Sequence, residues 1–422
     1  MYRRTRWVTV VLSSLILASN IACRPSDSTS ETSSAGAIKP QRAPIKVRAQ
    51  GSFRAVPDGP RVAVFDTARD SCELIDIPDA AARAFRDYRG TIHLIASHYI
   101  LRESLGMTLE SVKHQCQVAY TSKHDPDPAA FDDATWLDTF YNLDGKRIVA
   151  LGHMEFHGWE HPGMCNTNAY NEACWYNAVT FHLSQDGGYR FGPESAPPNF
   201  VLGLPYPYKV NQGPEGYSVD TNILKVGEWY YAMVTDWPWP PACAEGEGPR
   251  PCLVPFGGCP IRTSNILDAT AWRGWDGKGF TITFVDPYHT PVTRPQDHIC
   301  TPVPYMYYVN AINIHEPSHL FIATLCDPWN TAYGPPGVYI STSADLIHWT
   351  DPELVVTIAQ LRSQEPPGNW SYMYFSLLDP KSADPNFSTV TDKPYLYYVR
   401  LDDSQPPYAR VLFRQSIVLS RN

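Results

Sequence analysis

Five stretches of the chain repeat one pattern of apolar and polar positions. Each has a strand-like apolar run, a turn bearing Gly or Pro, and a second run rich in Tyr or aliphatic residues. They are ARAFRDYRGTIHLIASH (82–98), TFYNLDGKRIVALGHMEF (139–156), TNILKVGEWYYAMVTD (221–236), NAINIHEPSHLFIATLCD (310–327), and YMYFSLLDP with KPYLYYVR inside 372–400. Alternation at period two predicts strands, and no stretch sustains a capped helical period. Three further segments follow such units: TFHLSQDGGYRFGP (180–193), IRTSNILDATAWRGW (261–275) and VYISTSADLIHWTDP (338–352). They share Ser, a short spacer, Asp, and then an aromatic residue. Ser and Asp side chains bond a turn's own backbone, and the aromatic ring packs the outer strand onto its neighbour. Five irregular repeats of small antiparallel sheets predict an all-β, five-bladed β-propeller over 46–422. A sandwich pair or jelly roll would not require the Ser–Asp–aromatic turn to recur at matching points. A six-bladed propeller is the alternative, with residues 46–66 supplying extra strands.

The N-terminus has a different pattern. Arg3, Arg4 and Arg6 precede an apolar stretch, Trp7–Ala18, which closes on Ser19-Asn20-Ile21-Ala22-Cys23. The stretch is short and early for a membrane span, so residues 1–22 read as a cleaved export signal. Small residues before a cysteine resemble the lipobox of bacterial lipoproteins, which implies that Cys23 is lipidated. Asn20 stands where that motif has an apolar residue. Residues 23–45 are rich in Ser, Thr and Pro with few large apolar groups, the composition of a flexible tether. The expected location is extracytoplasmic, lipid-anchored to a bacterial membrane or cell surface, and otherwise secreted.

Composition narrows the function. A net charge of −9 argues against nucleic acid. Charged residues are 18% and aromatics 13%, with 12 Trp, 25 Tyr and 39 Pro. Ten cysteines, Cys23 among them, leave nine in the mature domain, where export permits disulfides. Cys165 with Cys174 flank a polar loop. Cys243, Cys252 and Cys259 fall in a Pro/Gly-rich insertion. Cys72 with Cys116, and Cys300 with Cys326, are candidate longer pairs. No CxxC pairs occur, so the cysteines do not read as a metal site.

On these residues a family resemblance rests. YISTSADLIHWTDPELV resembles the outer-strand signature of five-bladed propeller glycosidases, namely glycoside hydrolase family 43 and the related arabinanase, sucrase and sialidase-like groups. DGGYRF is similar to the aspartate-box turn of sialidase-type propellers. The resemblance implies acidic residues projecting from inner strands into one mouth of the channel, where one carboxyl protonates the leaving oxygen and another activates water or attacks the sugar. It implies Asp79 as base, in a leader with Ala80 in place of the usual proline. It implies Glu215 or Asp220 as acid, in QGPEGYSVDTNILKVGEWYYAMV. In the second repeat this chain departs from the family. Trp136 falls near the expected aspartate and Asp138 is offset, while Glu155 lies at the far end of RIVALGHMEF.

The polar cluster GHMEFHGWEHPG (152–163) carries its own chemistry. If the strand continues, His153, Glu155 and His157 share one face, and Met154 and Phe156 enter the apolar layer. Two imidazoles around a carboxylate suit a divalent ion, an ordered ligand site, or channel-lining histidines bonded to backbone or water. His161 is expected on a loop. Trp159, Trp175, Tyr176, Trp237, Trp239 and Trp370 sit in Pro/Gly-rich contexts and offer faces for sugar rings or for packing between blades; Trp237 and Trp239 are the best candidates for an exposed platform. Arg83, opening the first strand, is placed to hold a carboxylate or sugar hydroxyl at the channel mouth. The expected ligand is a carbohydrate polymer or oligosaccharide, with no cofactor required, an ion in the channel as an option, and the membrane touched only through the lipid. A glycan-binding scaffold without chemistry, and a metal-dependent hydrolase on the His153–Glu155–His157 face, are the competing functions.

Overall fold

The computed structural model describes residues 51–192, 199–237, 257–327, 333–404 and 409–421. The export signal, the tether, Cys23, Trp239, Cys243 and Cys252 lie outside the described residues. Helix is confined to short turns, and among the described residues the main strands group into five antiparallel sheets that succeed one another along the chain.

Blade I comprises Arg83–Arg86, Ile92–Ile95, Ser104–Gly106 and Lys113–His114. Blade II comprises Ala134–Asn142, Ile148–His157, Trp175–Ser184 and Phe200–Gly203. Blade III runs from Glu215–Val219 through Trp229–Trp237 and Gly257–Thr263 to Arg273–Trp275 and Phe280–Thr283. A two-residue parallel contact, Tyr176 with Glu215 and Asn177 with Gly216, links it to blade II. Blade IV comprises Val309–His315, Leu320–Asp327, Gly337–Ser343 and Glu353–Thr357. Blade V comprises Trp370–Leu378, Tyr395–Asp402 and Arg410–Arg421. Its outer edge is completed from the other end of the chain. Phe53–Pro57 pairs with Ile417–Arg421, and Val62–Asp66 pairs with Val411–Arg414. The segment that the sequence offered to a sixth blade therefore closes the fifth.

The apolar core shows why the sheets form a ring. It divides into interfaces between successive blades. Phe85 and Ile95 of blade I meet Leu137, Phe140, Ile148 and Ala150 of blade II. Val149, Leu151, Met154 and Phe156 of blade II meet Tyr217, Val219, Ala232 and Val234 of blade III. Met233 of blade III packs with Ile312, Ala323 and Leu325 of blade IV. Ile322, Val338 and Ile340 of blade IV pack with Tyr398, Leu419 and Phe53, and Met373, Tyr397 and Val399 return to Ala84, Ile92 and Leu94 of blade I. Strand alternation distributes the side chains: Ile148 and Ala150 face one neighbouring blade, and Val149 and Leu151 the other. Each sheet is thus apolar on both faces, so Ile148–His157 is buried throughout. The molecule is a β-propeller.

The Ser–Asp–aromatic turns are built as their composition predicts. Asp345 Oδ1 accepts from the amides of Ile347 and His348, Ser343 Oγ accepts from Leu346, and Trp349 is buried with its indole donating to Leu346 O. Ser184 and Asp186 repeat the arrangement, with Gly188 and Arg190 donating. In blade III the hydroxyl that accepts from the turn is Thr263, bonded to the amide of Asn265, while Ser264 is exposed. Disulfides join Cys72 to Cys116 and Cys165 to Cys174. Cys300 differs from expectation and bonds to Cys259 rather than Cys326, because strand Gly257–Thr263 brings Cys259 to a Cα–Cα distance of 6.2 Å from it.

Candidate functional site

The first strands of three blades carry a bulge. In blade II Leu151 pairs with Thr139 and Gly152 with Leu137, which leaves Asp138 as the extra residue. In blade IV Val309 pairs with Leu325 and Ala311 with Thr324, leaving Asn310. In blade V the step from Met373 to Ser376 faces the shorter step from Val399 to Tyr397, and Tyr374 within it has φ +60°. A non-glycine residue held there costs on the order of 1–3 kcal/mol and is characteristic of functional positions. In blade III Asp220 directly follows strand Glu215–Val219, before pairing resumes at Leu224. A bulge re-aims a side chain and takes its backbone out of the ladder.

The re-aimed residues meet. Asp79, Ala80, Ala81 and Arg83 from blade I, Trp136, Asp138 and His153 from blade II, Asp220 from blade III, Asn310 from blade IV and Tyr374 from blade V line one cavity. Its volume is about 40 Å³, and it is partly open to solvent. Its floor is Arg83. Arg83 Nε donates to Asp138 O (3.1 Å), and Nη2 donates to Asp220 O (2.6 Å) and Asn310 O (2.8 Å). The carbonyls released from the ladders are thus collected by one guanidinium that ties blade I to blades II, III and IV. Burial pulls the Arg83 pKa down to about 10, against the opposing charges of Asp138 and Asp220.

Of the acidic residues that the sequence singled out, the structure brings Asp79 and Asp220 into this cavity. Asp79 accepts from Tyr374 OH (2.9 Å) and Trp136 Nε1 (3.2 Å), and it is ion-paired with Arg410. His98 Nε2 stands 3.4 Å from it; burial, with help from Arg410, lowers the His98 pKa to about 4 despite Asp79. Asp220 accepts from Ser218 Oγ (3.1 Å). Burial raises its pKa, with Thr235, His153, Ser218 and Arg83 working against the rise. Glu215 is not among the cavity-lining residues. It begins the strand that Asp220 follows, about 16 Å away along an extended chain, and its charge acts on Tyr208 and Tyr288.

Asp138 is the carboxyl that the family comparison passed over. Burial raises its pKa well above the usual carboxylate range, Asp220 pushes it further, and Arg83 opposes. Period two offered a signal for it, since Trp136 and Asp138 are two residues apart on one strand and both reach the cavity.

The second polar cluster starts at the cavity wall with His153. His153, Glu155 and His157 share one face of Ile148–His157, and Met154 and Phe156 enter the apolar layer. Glu155 Oε2 meets His157 Nε2 at 2.9 Å and Oε1 lies 3.4 Å from His153 Nε2. His157 Nδ1 reaches Glu160 at 3.5 Å. Burial disfavours the imidazolium of His157, but Glu155 and Glu160 override it and raise the pKa to about 10. His161 follows a short 3-10 turn and pairs with Asp133 at 2.9 Å. Each oxygen of Glu155 thus faces a different imidazole. Among the described residues, three ligand-type groups converge only at Cys72, Asp76 and His114, where the sulfur of Cys72 is held in a disulfide.

The aromatic residues divide. Trp136 walls the cavity. Trp159 and Trp175 are 7% and 8% exposed and pack into a blade II loop cluster beside Cys174, Trp159 lying flat on His157 at 4.4 Å. They brace the histidine wall and form no open platform. Trp237 ends its strand.

No protein-family model and no curated protein sequence matches the chain. Solved structures do resemble it loosely. A Cellvibrio cellulosa α-L-arabinanase mutant is 10% identical, with 81% of this chain and 91% of that one covered at a TM-score of 0.41. The catalytic domain of a Coprinopsis cinerea family 62 α-L-arabinofuranosidase is 13% identical, covering 87% and 97% at 0.42. A Podospora anserina α-L-arabinofuranosidase in complex with cellotriose is 9% identical, covering 86% and 96% at 0.43. Likenesses this loose assign no activity.

Proposed function

We propose that this chain is an exported glycan-active protein whose channel-mouth cavity hydrolyses a glycosidic bond. The observation that carries the reading is the meeting of Asp79, Asp138 and Asp220, from three different blades, around one cavity walled by Trp136 and Tyr374. Glycoside hydrolysis needs one carboxyl that holds a proton and another that does not. Asp220, desolvated and raised, protonates the departing glycosidic oxygen as the C–O bond breaks. Asp79, with Arg410 as its counter-ion, takes the proton of the water that adds to the sugar carbon. Asp138 is the third carboxyl, close enough in charge to Asp220 and Arg83 to hold the proton on the pair. Glu155 with His153 and His157 fixes the wall behind them.

The test is release of reducing sugar from a panel of plant, microbial and host glycans and aryl glycosides. Asp220→Asn should lower turnover by about 10²–10⁴-fold, the usual contribution of a general acid, and Asp79→Asn should do the same. A panel without turnover but with saturable binding would favour the non-catalytic glycan-binding reading, which the crowding of Asp79 by Arg410, Tyr374 and Trp136 supports. Export and lipidation at Cys23 belong to the same proposal. Radiolabelled palmitate should label the wild type and not Cys23→Ser, and a chain left unlabelled and cytoplasmic would refute them.

A further inference from the structure

The corner that joins the leader of blade I to its outermost strand gathers metal-binding chemistry that the cavity does not use. Cys72 Sγ, a carboxylate oxygen of Asp76 and a ring nitrogen of His114 all lie within 4.8 Å of one another. Cys116 adds a second sulfur, bonded to that of Cys72. The oxidised pair is a poor ligand, because zinc-class ions bind the thiolate. Opened by two electrons, the same four side chains supply the sulfur, nitrogen and oxygen donors that zinc takes in a four-coordinate site. Non-covalent bonds hold them in place without the disulfide. Cys72 N donates to Asp76 Oδ2 at 2.8 Å and Asp76 N donates to Glu73 O, so the turn carrying both residues closes on itself. His114 Nε2 meets the same Asp76 oxygen at 2.8 Å. The His114 ring lies edge-on to Phe65 at 4.6 Å, and its strand pairs with Ser104 and Leu105. Cys116 O accepts from Arg102 Nε. A cavity of about 20 Å³, lined in part by Asp76, His114 and Arg102, adjoins the group, and so small a space suits one ion or one water. Charge separates the two redox states. Glu73 is already paired with Arg102 at 2.6 Å, so the oxidised corner offers a divalent ion one carboxylate and one imidazole. Two thiolates add the two negative charges that such an ion neutralises.

We infer that this corner is a redox-gated zinc site: a disulfide when oxidised and, when reduced, a four-ligand site made by Cys72, Cys116, Asp76 and His114. A dithiol or phosphine gives up two electrons, and the S–S bond takes them with two protons to become two thiols. The thiols pass those protons to water as the two Zn–S bonds form. The sulfurs part to about 3.8 Å, the tetrahedral edge for Zn–S bonds of about 2.3 Å, which is within reach of Cα atoms 5.6 Å apart. In either state the leader that carries Asp79 stays stapled to the edge of blade I. The site is independent of the glycan reading.

Full-length protein, reduced with a phosphine under anaerobic conditions and titrated with cobalt(II) as the spectroscopic stand-in for zinc, tests this. The reduced chain should take up one equivalent, showing the thiolate-to-cobalt charge-transfer band and the intense visible bands of a tetrahedral ion, and zinc should displace it. The oxidised chain should show none of these bands. Asp76→Asn and His114→Gln should each weaken binding by about ten-fold or more, and joint replacement Cys72→Ser and Cys116→Ser should remove the charge-transfer band. In the reduced wild type, zinc should slow alkylation of Cys72 and Cys116 but not of Cys165 and Cys174, a readout that does not depend on the variants folding. A reduced chain that binds no stoichiometric cobalt overturns the inference. Tetrahedral bands unchanged in Asp76→Asn and His114→Gln place the ion on other thiols and overturn it too. So does zinc protection that is absent, or equal, at all four cysteines.

Discussion

Arg83→Met removes the cation at the centre of the ring while keeping most of the side-chain volume. The carbonyls of Asp138, Asp220 and Asn310 lose donors at 3.1, 2.6 and 2.8 Å. Hydrogen bonds from a charged donor contribute about 1.5–3 kcal/mol each, and their loss is incomplete where water can enter. Asp138 and Asp220 also lose the guanidinium charge that opposes the rise of their pKa values. These effects overlap, so the expected loss is about 4 kcal/mol rather than their sum. Arg83→Lys retains the charge, but an ammonium on a flexible stem cannot present the planar fork that reaches three carbonyls. It should recover about half of the loss, because the charge is kept while the fork geometry is lost. The assay is guanidinium unfolding with the disulfides intact, followed by tryptophan fluorescence. A loss below about 1 kcal/mol for Arg83→Met, within the range of an ordinary surface substitution, would show that the carbonyls are satisfied without Arg83. Equal stability for Lys and Arg would show that charge alone matters. Either result refutes the role of Arg83 in tying blade I to blades II, III and IV.

Two further expectations concern pH. Asp138 and Asp220 have raised folded pKa values, so the folded state holds their protons more tightly than the unfolded chain, and stability falls as pH rises above the unfolded carboxylate value of about 3.9. Asp138→Asn should therefore raise the melting temperature at pH 8 and change it little at pH 4; a gain that is the same at both would sink the assignment. His157 has the same sign in a higher pH window. Its folded pKa is about 10, above its unfolded value of about 6.5, so its stabilisation is complete below pH 6.5 and is lost as pH rises toward 10. His157→Gln should flatten the fall in stability across that window, and a mutant curve parallel to the wild type would contradict the pairing of His157 with Glu155 and Glu160.

What the sequence made legible followed from local alternation. Val149 and Leu151 against Ile148 and Ala150 announce a strand buried on both faces, and Ser343, Asp345 and Trp349 announce the turn that ends a blade. The same alternation placed His153, Glu155 and His157 together. Closure was not legible, because the pairing of Phe53–Pro57 with Ile417–Arg421 joins the two ends of the described chain and no local pattern records it. Asp138 escaped for a different reason. Its place in the cavity depends on a bulge, a one-residue slip that breaks any spacing borrowed from a family. The sequence offers Cys326 as a candidate partner for Cys300, whereas the partner is fixed by the strand carrying Cys259.

The ring of bulges separates what holds the propeller together from what its mouth can do. Arg83 grips Asp138, Asp220 and Asn310 through their carbonyl oxygens, which every amino acid possesses. The side chains at those positions can therefore be exchanged, one chemistry for another, while the grip at the axis stays the same. A library randomised at Asp138, Asp220 and Asn310 would vary the cavity's reactivity and selectivity on a scaffold whose central joint is indifferent to the choice.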